Sequence, residues 1–431
     1  MKQLPYLLAS DAEGNLFEIP ELRMAGMNGP HIEKIASSDL IELPYGSNLY
    51  HLPKRYPVGF DPKKNTFVTL TEYKGEAVFA AAAFMAPAYL QKSRSAFKAQ
   101  TDAPRLPLFS YTAVGWMNDQ FYVPAIRTDK DPRQDLIHFD CELIEEKALA
   151  MSKQFPKNRL IQHIIEKCVL TYGCPAARNM VLERWEAPAP SSQSCNASCL
   201  GCISFQNAES CVPATQNRLD FTPSAEEIIE LGVLHLERAP RPIYSFGQGC
   251  EGEPILNGEL LEEAIGGIRK RTQKGIINLN SNASRPDTLE KLYQAGLDSI
   301  RVSLNSAQKE YYHKYYRPRG YGFEDVCQSL QVTRDFNKWS SLNYLIFPGL
   351  TDQKAEWQAL DTLLKAYKVN MIQTRNLNID PDWYIEEMGI GGQEPGMGIN
   401  QWITQVKSST PWVKLGYFNP PKEEMQQQFY L

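Results

Sequence analysis

From about residue 180 to residue 375, short apolar segments alternate with longer amphipathic segments, and this alternation constrains the fold more than any other feature. Such a pattern predicts consecutive β–α units with right-handed crossovers and a parallel sheet. Six strands are fewer than a closed β/α barrel needs, so we predict a partial (β/α)6 barrel that is open on one side. The six predicted strands are residues 180–185, 242–247, 275–280, 299–304, 342–347 and 369–374.

Amphipathic helices are predicted between these strands. Ser224 is followed three residues later by Glu227, immediately before an apolar run, which is the pattern of a capping box at a helix start. Thr351 or Asp352 is predicted to cap the last of these helices in the same way. The predicted helices are residues 224–236, 256–271, 286–295, 323–336 and 352–367.

The region before about residue 170 lacks this alternation. Residues 66–73, 109–116 and 121–126 are predicted strands, the last two forming a hairpin. Residues 143–168 are predicted to be helical with an interruption at Pro156. We therefore predict an α/β protein in three parts. These are an N-terminal α+β accessory domain (residues 1–174), a core that holds the partial barrel (residues 175–380) and a C-terminal tail that caps the barrel (residues 381–431).

Three cysteines, Cys195, Cys199 and Cys202, follow the first predicted strand with the spacing C-x3-C-x2-C. Three thiolates on one short loop can each bind one iron of a cubane cluster. Such a cluster keeps one iron open to a further ligand. A structural zinc site is an alternative, but it needs a fourth Cys or His at a usable spacing. Cys211 is the next cysteine, and no histidine lies before it. Buried thiols without a metal are a second alternative.

The cysteine motif resembles the signature of the radical SAM superfamily, in which it follows the first strand of a six-unit β–α series. The resemblance covers residues 180–380, about half of the chain. It implies a 4Fe–4S cluster on Cys195, Cys199 and Cys202, with S-adenosylmethionine (SAM) on the open iron. It also implies reductive cleavage of SAM to a 5′-deoxyadenosyl radical. One position departs from the family pattern, because Gly201 stands where many members carry an aromatic residue.

Polar groups follow the later strands, and the resemblance implies that they contact SAM. Gly252 and Glu253, followed by proline, resemble the family's Gly-Glu-Pro element. Glycine lets the backbone approach a ligand, and a carboxylate suits the SAM ammonium group. Asn282 follows the third strand, and Ser303 and Asn305 lie two residues apart on one side of the fourth. An ordinary strand-to-helix turn or strand end is the alternative at each position.

Arg375 ends the sixth predicted strand, at the edge where parallel-strand folds bind ligands. One hypothesis is that its guanidinium holds a carboxylate of SAM or of the substrate. The other is that it pairs with Asp380 or Asp382 nearby in the sequence.

Composition excludes several classes of protein. The net charge of −5 argues against a broad nucleic-acid surface. The strongest apolar run, residues 78–90, contains Pro87 and is too short to cross a bilayer. The first residues turn polar before a signal peptide is complete, so we expect a cytoplasmic protein that binds no membrane. Nine cysteines in 431 residues indicate metal binding or chemistry rather than a disulfide scaffold.

The sequence therefore predicts a radical SAM enzyme that abstracts hydrogen from an unidentified peptide or small metabolite. A flavodoxin-like or ferredoxin-like electron donor is expected, and no catalytic residue is identified. One alternative is a non-catalytic iron–sulfur protein for electron transfer or sensing, which requires a fourth protein ligand to the cluster. A second is an RNA-modifying radical SAM enzyme, whose extra catalytic cysteine arrangement is not evident here.

Overall fold

The computed structural model describes residues 4–428. These residues form a large antiparallel sheet in the N-terminal part of the chain and a parallel sheet in the rest. Within the same range, no helix has the length and apolar character needed to cross a membrane.

The N-terminal part consists mostly of strands. Within residues 4–428, thirteen strands form the antiparallel sheet, and β8 and β9 pair separately. The strands are β1 (Tyr6–Ser10), β2 (Leu16–Asn28), β3 (His31–Lys34), β4 (Leu40–Glu42), β5 (Asn48–Leu52), β6 (Arg55–Asp61), β7 (Thr66–Thr69), β8 (Glu72–Tyr73), β9 (Glu76–Ala77), β10 (Phe79–Phe84), β11 (Tyr89–Gln91), β12 (Arg94–Ser95), β13 (Phe97–Ala99), β14 (Gly115–Met117) and β15 (Gln120–Arg127).

The predicted hairpin is present as β14 and β15, although β14 covers only the end of the predicted strand 109–116. Met117 pairs with Gln120, which leaves Asn118 and Asp119 as a two-residue turn. Both turn residues have positive φ angles, 52° and 57°. Asn and Asp tolerate this conformation, which two-residue hairpin turns require.

Three α-helices connect the two sheets. They are α1 (Cys141–Gln154), α2 (Arg159–His163), which continues as a π-helix over Ile164–Thr171, and α3 (Pro175–Val181). Pro156 lies in the break between α1 and α2, as predicted. Buried side chains of these helices, including Ile144, Ile161 and Val181, belong to the same hydrophobic core as the parallel sheet. The division of the chain at residue 174 stays a prediction.

The parallel sheet confirms the predicted partial barrel, with one strand more than expected among the described residues. Its seven strands lie in sequence order, and each pairs in parallel with the next. They are β16 (Glu186–Pro188), β17 (Ile243–Phe246), β18 (Ile276–Ser281), β19 (Ser299–Leu304), β20 (Trp339–Ile346), β21 (Met371–Asn376) and β22 (Lys414–Gly416).

α-Helices precede or follow the strands of this sheet. They are α4 (Ala225–Arg238), α5 (Gly258–Arg271), α6 (Pro286–Ala295), α7 (Lys309–Tyr316), α8 (Phe323–Asp335), α9 (Lys354–Tyr367), α10 (Pro381–Met388), α11 (Ile399–Ser409) and α12 (Lys422–Gln428). Short 3₁₀ turns occupy Ser37–Asp39, Pro132–Gln134, Leu136–His138, Ala208–Ser210 and Pro254–Asn257.

Two local predictions in this region are wrong. The first predicted strand, residues 180–185, overlaps the end of helix α3, and the edge strand is instead Glu186–Pro188. Pro175 at the first helical position favours a helix there, while an edge strand accepts Pro188. Neither Thr351 nor Asp352 caps α9, whose N-cap residue is Gln353. The Asp352 carboxylate instead accepts the backbone N–H groups of Gly349 and Gly398 at 2.6 and 2.8 Å.

The capping box predicted at Ser224 is confirmed. The Ser224 hydroxyl accepts the backbone N–H of Glu227 at 3.2 Å, and the Glu227 carboxylate accepts the backbone N–H of Ser224 at 2.8 Å. Each contact satisfies an N–H group that the helix itself leaves without a partner. Helix α4 therefore begins where the sequence indicates.

Side chains alternate along each parallel strand between the helix-covered face and the barrel interior. On β19, Ile300, Val302 and Leu304 belong to the core beneath the helices. Arg301 and Ser303 lie on the other face. The interior is therefore mainly polar near its middle and upper levels, whereas an apolar cluster closes it near the amino ends of the strands. That cluster consists of Ile243, Ile276, Trp339, Met371 and Met425.

The antiparallel sheet contacts the carboxyl ends of β20 and β21. The buried guanidinium of Arg55 donates to the Asp380 carboxylate at 2.7 Å. The backbone N–H of Gly29 donates to the Pro348 carbonyl at 2.8 Å. A Cβ atom on Gly349 would lie 2.0 Å from the Gly29 nitrogen. This turn therefore requires glycine so that the two backbones can approach each other.

Candidate functional site

The three cysteines lie on the loop that follows β16, at the carboxyl edge of the parallel sheet. Two hydrogen bonds attach this cysteine loop to the end of α7. The backbone N–H of Ser198 donates to the Tyr316 carbonyl at 2.9 Å, and that of Leu200 donates to the Tyr315 carbonyl at 3.0 Å. Neighbouring β–α units therefore hold a segment that has little secondary structure of its own.

The three thiols are close enough to influence one another electrostatically. Burial raises the pKa of Cys199 well above its usual value, and the neighbouring Cys202 and Cys195 raise it further. Burial, followed by the charge of Glu253, raises the pKa of Cys195 to about 11. Such thiols ionise when a bound cation compensates the thiolate charge, as a metal ion does.

The arrangement of the thiols differs from that of a single-ion site. Among residues 4–428, no three or more His, Cys, Asp or Glu side chains are placed to hold one metal ion. A tetrahedral zinc site requires four ligands that converge on one ion. Three cysteines that bind three different irons of a cubane cluster do not converge on one point.

Glu251, which the sequence analysis passed over, fixes the start of the cysteine loop. Its buried carboxylate accepts the backbone N–H groups of Ser191 and Ser192 at 2.7 and 3.0 Å. It also accepts those of Gly247 and Gln248, in the turn after β17, at 2.7 and 3.1 Å. One carboxylate thus joins the start of the cysteine loop to the adjacent turn. Glu251 lies two residues before Glu253, and nothing in the sequence marks this separate role.

Gly252 lies where two backbones meet. Its N–H donates to the Ser192 carbonyl at 2.7 Å, and the N–H of Glu253 donates to the Ser194 carbonyl at the same distance. A Cβ atom on Gly252 would lie 2.1 Å from the Ser194 oxygen. Gly252 therefore lets its own turn approach the cysteine loop closely, while its contact with SAM stays a prediction.

Glu253 joins the turn after β17 to the end of β18. Its carboxylate accepts the Ser281 hydroxyl at 2.7 Å and the backbone N–H of Asn282 at 2.8 Å. Burial raises the pKa of Glu253 to about 7. The side-chain amide of Asn282 donates to the Asn196 side chain at 2.7 Å. Glu253 and Asn282 therefore lie together beside the cysteine loop.

Asn305 and Ser303 lie further round the same edge. The Asn305 amide nitrogen donates to the Tyr311 carbonyl at 3.1 Å and to the Tyr384 hydroxyl at 3.3 Å. Its carbonyl oxygen is buried and has no hydrogen-bond partner. Ser303 is paired with Asn343 across the strands and is partly exposed to the barrel interior. An unpaired buried acceptor is costly unless a ligand or water donates to it.

Arg375 does not pair with Asp380, whose carboxylate instead receives Arg55. Its guanidinium donates to the Tyr417 carbonyl at 2.7 Å, stacks on the Tyr417 ring and reaches the Gln373 side-chain oxygen at 3.2 Å. Arg375 forms no ion pair with Asp382 either, so the hypothesis of pairing with Asp380 or Asp382 is wrong. The guanidinium instead lies on the face of β21 that lines the barrel interior.

Tyr315 on α7 is a site residue that the motif did not reveal. Its hydroxyl lies against the Gly201 backbone, because a Cβ atom on Gly201 would lie 2.7 Å from the hydroxyl oxygen. Tyr315 also lies close enough to Cys199 and Cys202 for their charges to raise its pKa. The missing aromatic side chain before the third cysteine thus coincides with a tyrosine that approaches from α7. The tyrosine-rich run at residues 311–316 is the only sequence signal for it.

Comparison with known proteins identifies the domain. Residues 190–358 match the family model described as the radical SAM superfamily. This part of the chain is a radical SAM domain. The superfamily uses a 4Fe–4S cluster together with SAM, which are therefore the cofactors of this domain.

The chain is similar to one curated relative, GTP 3′,8-cyclase from Microcystis aeruginosa (strain NIES-843 / IAM M-2473). The two are 27% identical over 147 residues, which cover 33% of this chain and 44% of the relative. The chain thus matches less than half the length of this relative.

Solved structures of radical SAM proteins are also similar at low identity. HydG, the FeFe-hydrogenase maturase from Carboxydothermus hydrogenoformans, is 13% identical with a TM-score of 0.36, and the match covers 67% of this chain and 73% of HydG. Streptococcus suis SuiB bound to S-adenosylmethionine is 12% identical with a TM-score of 0.37, covering 64% of this chain and 66% of SuiB.

Proposed function

We propose that this protein is a radical SAM enzyme whose cluster is held by Cys195, Cys199 and Cys202. When bound there, the cluster and SAM would supply a 5′-deoxyadenosyl radical for hydrogen abstraction from the substrate, through one-electron reductive cleavage of SAM with release of methionine. The protein's own residues position the cofactors and exclude solvent from them.

The observation that carries this proposal is the contact between the cysteine loop and the turn after β17. Gly252 and Glu253 are hydrogen-bonded to the loop backbone, so a molecule bound at the loop also meets the Glu253 carboxylate. A carboxylate is the natural partner of the SAM ammonium group. The unpaired oxygen of Asn305 and the partly exposed Ser303 provide further polar groups at the same edge.

Asn282 extends this ligand-binding edge on the side of β18. Its backbone N–H already binds Glu253, and its side chain binds Asn196 of the cysteine loop. We therefore assign Asn282 to the SAM site as a residue that orders both the loop and the carboxylate.

The substrate belongs to the class of peptides or small metabolites, with a small metabolite favoured. The curated relative is named for a reaction of GTP, a small molecule. The net charge of −5 does not favour a nucleic-acid substrate. A flavodoxin-like or ferredoxin-like protein would deliver the electron.

Anaerobic reconstitution with iron and sulfide, followed by dithionite and SAM, tests the proposed function. We expect 5′-deoxyadenosine to form, and we expect Cys199→Ala to abolish it. Cys141→Ala is the matched control, because Cys141 is an exposed thiol at the start of α1. A cluster that forms without any SAM cleavage would instead support an electron-transfer or sensing protein.

A further inference from the structure

The barrel interior contains two arginines, Arg301 on β19 and Arg375 on β21, which are separated by β20. Both guanidinium groups reach the same acceptor, the side-chain oxygen of Gln373, at 3.2 Å each. Two positive groups therefore converge on one neutral amide oxygen. Burial, and then the neighbouring Arg375, lower the pKa of Arg301 to about 10.

Neither arginine has an anionic partner in the part of the chain that the structure describes. Among the side chains that the structure describes, no carboxylate oxygen lies within 4.0 Å of either guanidinium. The Nε atoms of both Arg301 and Arg375 are buried and make no hydrogen bond. Buried charged donors are costly when they remain unpaired. The arrangement is therefore that of a site for an added anion.

Glu186 on β16, the carboxylate that acts electrostatically on Arg301, is already engaged. Its carboxylate accepts the Ser245 hydroxyl at 2.6 Å and the Asn419 amide at 2.9 Å. The Asn419 side-chain oxygen in turn accepts the Gln373 amide at 2.7 Å. This chain of contacts crosses from the first strand of the sheet to the sixth. It forms a polar layer that meets the arginine pair at Gln373.

The arginines and the groups beside the cysteine loop have different contacts. Arg301 is paired with Asn280 and Ser341 within the strands, below the ends of β18 and β20. The groups adjacent to the cysteine loop are instead Glu253 and Asn282. Glu253 is the group proposed above to hold the SAM ammonium group.

We propose that Arg301 and Arg375 bind an oxyanion of the substrate, a carboxylate or a phosphate, inside the barrel. This inference rests on the proposed function and names its substrate class as an anionic small molecule. A guanidinium pair suits either oxyanion, because each guanidinium presents several N–H donors in one plane. Arg375 is thereby assigned to the substrate and not to SAM.

Isothermal titration calorimetry on the reconstituted protein tests this assignment, with inorganic phosphate, pyrophosphate and succinate as separate probes. Binding of phosphate or pyrophosphate would indicate a phosphorylated substrate, and binding of succinate would indicate a carboxylate. We expect Arg301→Gln and Arg375→Gln each to lower the affinity for the probe by about tenfold or more, because each variant loses hydrogen bonds between charged groups. Arg334→Gln is the control, since Arg334 is exposed on α8 and contacts the Ala366 carbonyl.

SAM affinity is measured on the same variants. An equal loss of affinity for SAM and for the probe would assign the arginines to SAM and overturn the proposal. Probe affinity that is unchanged in both variants, or no probe binding to the wild type, would also overturn it. Arg301→Lys and Arg375→Lys keep the charge and guard against misfolding, and we expect them to retain part of the probe affinity. If SAM is not cleaved at all, the proposed function fails, while probe binding still reports independently on the arginine pair.

Discussion

The carboxylate of Glu251 accepts the backbone N–H of Ser191 at 2.7 Å, and this contact ties the beginning of the cysteine loop to the turn after β17. The same carboxylate accepts N–H groups from both segments. A carboxylate offers only acceptors, whereas the amide of glutamine has one oxygen and a nitrogen that donates. Both oxygens of Glu251 act as acceptors, and each accepts two backbone N–H groups, so a side chain with two acceptor oxygens is needed to hold the loop on the turn.

Glu251→Gln is expected to loosen the cysteine loop while leaving the cysteines unchanged. The amide would leave at least one buried N–H without an acceptor, which costs about 1–3 kcal/mol. We expect lower iron and sulfide content after reconstitution and a lower free energy of unfolding. The control is Glu259→Gln on the exposed face of α5. Equal cluster content in both variants would contradict this role.

Gly252→Ala is expected to displace the cysteine loop, because the new Cβ would lie 2.1 Å from the Ser194 carbonyl oxygen. Backbone atoms on both sides would have to shift, so cluster content and SAM affinity should both fall. Gly266→Ala is the matched control, since no atom lies within 4 Å of its Cβ position in α5. Replacing glycine by alanine in a helix interior is expected to raise the free energy of unfolding by up to about 1 kcal/mol. The idea fails if the two alanine variants load iron equally.

Glu253 gives a pH dependence to SAM binding. Burial raises its pKa from 4.5 to about 7, so the carboxylate is largely protonated below pH 7 in the free protein. A neutral group attracts the SAM ammonium less, and SAM affinity should fall as the pH decreases through 7. Glu253→Gln should bind SAM weakly with a much flatter pH profile over this range. A wild-type profile as flat as that of the variant would count against the contact.

The raised pKa of Glu253 also predicts how the stability of the protein depends on pH. A folded-state pKa above the unfolded value means that the folded protein holds the proton more tightly. The free energy of unfolding should therefore fall as the pH rises from about 4.5 to about 7, and this contribution should disappear in Glu253→Gln. Denaturant titrations of the cluster-free protein at several pH values measure it. The opposite slope in the wild-type-minus-variant difference would refute the assignment.

The contact between Arg55 and Asp380 should contribute strongly to how the N-terminal sheet packs on the barrel. Both side chains are buried, and removal of one partner from a buried ion pair costs about 3–5 kcal/mol. Arg55→Met should therefore lower the free energy of unfolding by an amount in that range. The neighbouring pair between Lys54 and Asp102 is exposed, so Lys54→Met should change stability little. Similar losses in the two variants would contradict the structural assignment.

Much of the barrel could be predicted from the sequence because its strands are long and its helices amphipathic. The five strands after the first were placed within a few residues, and Ser224 identified a helix start. The first and last strands, Glu186–Pro188 and Lys414–Gly416, were missed. Each has three residues, too few for a hydrophobic period, and each forms only through pairing with a neighbouring strand.

The site was predictable only where it depends on motifs. The spacing of Cys195, Cys199 and Cys202 and the Gly252–Glu253 step are local in sequence. Tyr315 and Glu251 act through contacts that the fold creates, and Arg301 is unremarkable until β19 and β21 place it beside Arg375. Long-range proximity of this kind leaves no pattern in a single sequence.

Electron paramagnetic resonance of the reconstituted, dithionite-reduced protein tests the central claim most directly, because it reports on the cluster and on the iron that is open to SAM. We predict a reduced-cluster signal in the wild type and in Cys141→Ala that changes when SAM is added, and its loss in Cys199→Ala. A signal that is identical with and without SAM, or that persists in Cys199→Ala, would contradict the account.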